Sequence, residues 1–112
     1  MYKIYGIPNC GTVKKALTHL DKKKLTYEFI NFKKIPPTKE LLTSWKEVFG
    51  EWPVNKNGPT FRKIKDDFMV ATTAAKHKLL IENSSAIKRP ILEKNGKVIQ
   101  FGYDEEFYGK LR

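Results

Sequence analysis

Apolar and polar residues alternate over Tyr2–Gly6, which predicts a strand. The spacing then changes: Val13, Ala16, Leu17 and Leu20 fall at i, i+3, i+4 and i+7, predicting a helix over 12–24 whose lysines 22–24 suit its C-terminal end. Residues 25–32 have strand composition, with Tyr27, Phe29 and Asn31 on one face, and Pro36-Pro37 stops them. Thr38 has the character of an N-cap for a helix through Phe49, with Leu41, Leu42, Trp45, Val48 and Phe49 as its apolar positions. Gly50, Pro53, Gly58 and Pro59 mark 50–60 as a loop. A short helix is expected over Thr60–Ile64. A second runs over 67–83 with Phe68, Ala71, Ala75, Leu79 and Leu80 inward, broken by Ser84-Ser85. Residues 87–93 lead into a strand, and Asn95-Gly96 specifies a two-residue hairpin turn to a returning strand over 98–101. Asp104 caps a last helix, 105–111, with Phe107, Tyr108 and Leu111 for packing.

The order is β-α-β, a helical block, a β-hairpin and a helix. A βαβ unit pairs its strands in parallel through a right-handed crossover, and the hairpin adds antiparallel strands. The expected class is α/β, a four-stranded mixed sheet flanked by helices. One domain is expected over 1–112, with 1–35 and 85–112 as core and 36–84 as a helical insertion packed around Trp45 and Trp52.

Composition narrows the setting. Hydrophobic residues make up 40%, enough for one core, and no apolar run approaches the ~20 residues of a membrane span. Lys3 lies inside the first strand, so the basic-then-apolar pattern of a secretion signal is missing. A single cysteine makes no internal disulfide, and a cytoplasmic monomer is expected. The formal net charge is +10, carried mostly by dispersed lysines without a basic stripe or interleaved aromatics. A solvated lysine surface explains it better than direct nucleic-acid binding. Arginine is scarcer and more informative: only Arg62, Arg89 and Arg112 occur.

The chemistry centres on Cys10. It falls between the first strand and the first helix, in the turn Pro8-Asn9-Cys10-Gly11. A thiol there meets free backbone N–H groups and the positive end of the helix dipole, both of which favour the reactive thiolate. A lone cysteine more often fills core space, but Pro8, Asn9, Gly11 and Thr12 read as a turn. Asn9 and Thr12 are candidates to cap the helix or hydrogen-bond the thiolate. His19 lies nine residues on, roughly 13 Å along a helix axis, too far for a Cys–His dyad. His77 is expected at the surface. One cysteine and two scattered histidines lack the spacing of a metal site.

The element order resembles the thioredoxin-like plan, in which the helix after the first strand presents the cysteine and a proline before the third strand is cis; Pro90 holds that place. Four segments carry a closer resemblance: Tyr5 to Ala16 (YGIPNCGTVKKA), Gly58 to Lys63 (GPTFRK), Lys88 to Leu92 (KRPIL) and Phe101 to Glu106 (FGYDEE). Together, in that order, they resemble the ArsC/Spx family of arsenate reductase-like proteins, most closely its YffB-like branch. The resemblance implies that Cys10 is the catalytic nucleophile and that Arg62 and Arg89 bind an anionic substrate. It further implies glutathione as co-substrate or glutaredoxin as donor, with no bound cofactor, and a small oxyanion or oxidised thiol as substrate. The further arginine that arsenate reductases carry after the fourth strand has no counterpart in Phe101-Gly102-Tyr103-Asp104. Position 13 is valine, so the Cys-x-x-Cys switch of Spx-type regulators is missing, while Gly102–Glu106 looks Spx-like. The alternative is therefore a regulator that binds RNA polymerase.

Overall fold

The computed structural model describes residues 1–112. Its elements are β1 (Tyr2–Gly6), α1 (Gly11–Lys22), β2 (Tyr27–Asn31), α2 (Lys39–Phe49), α3 (Pro59–Val70), α4 (Thr73–Glu82), a 3-10 turn at Ser84–Ala86, β3 (Ile91–Lys94), β4 (Lys97–Phe101) and α5 (Glu105–Gly109). They form two compact units: Met1–Asn31 with Arg89–Arg112, and Phe32–Lys88.

The first unit is a four-stranded sheet in the order β2-β1-β3-β4. β1 and β2 are parallel, while β1 with β3 and β3 with β4 are antiparallel, as the element order predicts. Tyr2, Ile4 and Leu92 on one sheet face pack against Ala16 and Leu20 of α1 and against Tyr108 and Leu111 at the C-terminal end. Ile4, Leu20 and Leu92 are fully buried, worth about 1.5–3 kcal/mol each. Next along β1 from Ile4, Tyr5 donates a buried hydrogen bond to Glu93 Oε1 at 3.0 Å. The β3–β4 turn has Asn95 at φ 53° and Gly96 at φ 83°. Two consecutive positive φ values are what a tight hairpin requires and what Asn-Gly supplies at low cost. Gly6 ends β1 where a Cβ would sit 2.7 Å from Val13 Cγ2. Its missing side chain lets the first turn of α1 lie close against the strand end, which sets the height of Cys10 above the sheet.

The second unit is helical. Thr38 caps α2 by accepting from the Leu41 N–H, and Gly50 closes it at φ 88°. Trp45 and Phe32 are fully buried with ring centroids 6.0 Å apart. Trp52 meets Phe68 and His77 edge-on at 5.7 and 5.3 Å, with Lys46 Nζ 4.9 Å from its ring. Both tryptophans therefore pack this segment, as expected.

Three expectations are corrected here. The helix break lies at Ala71-Thr72, not between 64 and 67. α3 runs unbroken because Phe61 and Phe68, two turns apart, pack ring against ring at 5.5 Å. Ala71 is extended at ψ 153°, and Thr72 starts α4 by accepting from the Ala75 N–H. Val48 is 61% exposed; the buried stripe of α2 is narrower than its apolar positions and rests on Leu42 and Trp45. His77 is buried rather than superficial, against Trp52, with Thr43 Oγ1 3.4 Å from Nε2. Burial, aided by the nearby Lys39 and Lys46 charges and opposed by Glu40, holds its imidazole below the ordinary histidine range.

Candidate active site

Cys10 is the N-cap of α1, with extended backbone at φ −113° and ψ 126°. The Lys14 N–H donates to its carbonyl at 2.9 Å, the first bond of the helix. This placement follows from sequence: Pro8 has no N–H to offer a ladder, and helical spacing starts at Val13. The thiol is half-buried. Its Sγ lies 3.0 Å from Thr12 Oγ1. When the sulfur is a thiolate, the Thr12 hydroxyl donates to it. The Val13 N–H faces the same sulfur without closing a full cap hydrogen bond. The Arg89 guanidinium, from just before β3, hydrogen-bonds it as well.

These groups decide the charge state. Partial burial pushes the thiol up. The Thr12 hydroxyl, the facing Val13 amide and the Arg89 guanidinium with its charge together outweigh that push and leave Cys10 below the ordinary thiol range. The resulting site is a nucleophilic sulfur beside a cation and open on one side to solvent.

The remaining sequence candidates fall into place as follows. The Arg89–Pro90 bond is cis, Pro90 is buried, and its carbonyl accepts from the Gly102 N–H at 2.8 Å. Thr12 contacts the sulfur but does not cap the helix. Asn9 does neither: it is exposed in the turn and makes no hydrogen bond, because Cys10 itself takes the N-cap position. Arg62 is exposed in the first turn of α3, its N–H bonded to the Gly58 carbonyl at 3.2 Å. His19 pairs with the Tyr103 hydroxyl at 2.9 Å. The Val13 amide was not singled out from sequence, although any N-cap thiol must face the second or third amide of its helix.

The sequence profile of the ArsC family matches residues 5–111. The solved structure of a YFFB protein is 35% identical, covers 97% of this chain and 96% of its own, and superposes with a TM-score of 0.85. An arsenate reductase (ArsC) related protein from Brucella melitensis is 36% identical over 98% of this chain and 95% of its own, with a TM-score of 0.73. The global transcriptional regulator Spx of Streptococcus agalactiae is 28% identical over 95% of this chain and 79% of its own length.

Proposed function

We propose that this chain, which belongs to the ArsC family, is a thiol-dependent reductase with Cys10 as its single nucleophile and glutathione, directly or through glutaredoxin, as its electron donor. The observation that carries this reading is one thiol at a helix N-terminus, kept below its ordinary range by Thr12, the Val13 amide and Arg89.

The chemistry follows from the sulfur count. The Cys10 thiolate attacks the glutathionyl sulfur of a mixed disulfide, RS–SG. The S–S bond breaks, Cys10–S–SG forms, and RS⁻ leaves and takes up a proton. With no second cysteine in the chain, an external thiol must finish the cycle. A second glutathione thiolate attacks the adduct, forming GSSG and returning the Cys10 thiolate. The net reaction converts RSSG and GSH into RSH and GSSG. Arg89 holds the Cys10 anion and a carboxylate or oxyanion of the incoming molecule through its fork of N–H donors. The family resemblance gives Arg62, too, an anion-binding role. We take the cytoplasm, where glutathione is plentiful, as the setting, and a monomer as the working form.

The test follows Cys10 alkylation against pH and adduct formation by intact mass. The titration midpoint is expected below the ~8.5 of an ordinary thiol, and glutathione disulfide is expected to add one glutathionyl group at Cys10. Arg89→Ala moves the midpoint upward and slows turnover about 10- to 100-fold, the size of one lost charge-assisted hydrogen bond. Arg62→Ala raises KM for the anionic substrate and leaves the midpoint in place. An ordinary midpoint with no adduct refutes the reading, and turnover of arsenate in preference to a glutathionylated peptide moves the substrate class to oxyanions.

The match to Spx and the Gly102–Glu106 stretch favour a second reading, a regulator that binds RNA polymerase. Pull-down at physiological salt without a stoichiometric complex removes it.

A further inference from the structure

An open cavity of about 460 Å³, whose lining does not include Cys10, lies on the first unit, lined by Lys14, Lys15, Thr18, His19 and Lys22 of α1 and by Tyr103 and Glu105. It has the size of a small-molecule site, which runs from roughly 300 to 1,000 Å³. The structure assigns to this cavity a phosphorylated small molecule of nucleotide size, its phosphates on the lysines and its base against Tyr103.

Charge is the first ground. Lys14, Lys15 and Lys22 bring three ammonium groups to one helix face against one carboxylate, Glu105. None of the four is in an ion pair. The three ammonium groups are spread along the face, at i/i+1 and i/i+7 spacing, and their combined positive potential attracts a polyanion.

The second ground is a prepared polar wall. His19 Nδ1 and the Tyr103 hydroxyl are 2.9 Å apart. If the hydroxyl donates to Nδ1, the imidazole keeps its Nε2–H. If Nδ1–H donates, the hydroxyl proton remains. The pair retains one unused donor in either tautomer, suited to a phosphate oxygen. Behind it, Tyr108 is fully buried with its ring 5.0 Å from Tyr103 and 6.0 Å from His19. The Tyr103 ring is thereby held as a platform on which a base can stack.

The third ground is what bare phosphate leaves unexplained. The volume far exceeds one phosphate group, and the Glu105 carboxylate accepts hydrogen bonds only. A ribose hydroxyl or an exocyclic amine answers it. A nucleotide carries all three features, whereas an inorganic polyphosphate carries one.

The test is isothermal titration with ADP and, separately, with tripolyphosphate at physiological salt, joined to amide shift mapping. ADP is expected to bind more tightly than tripolyphosphate and to move the signals of residues 14–22 and 103–105. The double variant Lys15→Gln, Lys22→Gln changes exposed positions only. It is expected to weaken ADP at least tenfold while Cys10 alkylation stays at the parent rate. Tyr103→Leu is expected to weaken ADP more than tripolyphosphate, because both lose the hydroxyl of the polar wall while ADP also loses the ring on which its base stacks. Three outcomes each overturn the assignment: no ADP binding at millimolar concentration, tripolyphosphate binding as tight as ADP, or ADP affinity unchanged in the lysine variant. The last two mark attraction to a chain of net charge +10 rather than a site.

Discussion

Cys10→Ser is expected to reduce glutathione-dependent turnover to background, a loss of about 10⁴-fold or more, as removal of a covalent nucleophile produces elsewhere. Serine nearly preserves shape, so the loss is chemical. The Thr12 hydroxyl, the Val13 amide and the Arg89 guanidinium are arranged around an anion, and a serine hydroxyl does not ionise at neutral pH. No other sulfur nucleophile of the same kind is present, since Cys10 is the sole cysteine. A coupled assay of GSSG production measures the rate, and intact mass confirms that no adduct forms. Turnover above one per cent of the parent, in a variant with an unchanged thermal melt, would remove Cys10 from the mechanism while leaving the fold intact.

The largest stability effect is expected from Trp45→Ala. The indole is fully buried and packs on Phe32, with Leu42 also buried on the same helix. Emptying that space costs about 3–5 kcal/mol, transfer and cavity together. That is a large share of the roughly 5–15 kcal/mol that holds a small protein folded. Urea titration followed by far-UV circular dichroism reads it as a lower midpoint. Val48→Ala, on the same helix at a position 61% exposed, is expected to stay within about 0.5 kcal/mol. Equal effects at the two positions would contradict the assignment of the buried stripe.

Legibility in the sequence followed the physics of each segment. Strand β1, the Asn95-Gly96 turn and the Thr38 and Asp104 caps were readable because each depends on a few adjacent residues with steep local preferences. The α3–α4 boundary was not. The expected helices over 60–64 and 67–83 leave a gap that the structure does not have, because the Phe61–Phe68 contact sustains the helix across it, and the actual stop needs only an extended Ala71 before a capping Thr72. The inward turn of His77 was hidden for a similar reason: nothing adjacent to it announces the Trp52 ring that covers it. At the site, Cys10 declared itself through its turn and its uniqueness. Arg89 was legible only through family resemblance, because no local pattern joins it to a sulfur so far back in the chain. The His19–Tyr103 bond, likewise distant in sequence, left no trace in spacing or composition.

The first unit is built from the two ends of the chain, and this has a consequence for the order in which the protein is made. Tyr5 on β1 pairs with Ile91 on β3, closing a loop of roughly 85 residues at an entropic cost of about 4 kcal/mol on logarithmic scaling. A ribosome delivers β1, α1 and β2 first, and two strands alone are marginal in water. Residues 32–88, the whole second unit, emerge before β3, the antiparallel partner of β1, exists. Arg89 leaves the exit tunnel later still. Until then Cys10 lacks the guanidinium that favours its anion, and only the local Thr12 hydroxyl and Val13 amide act on it. The full set of groups that favours the thiolate is thus assembled only after the second unit has been made.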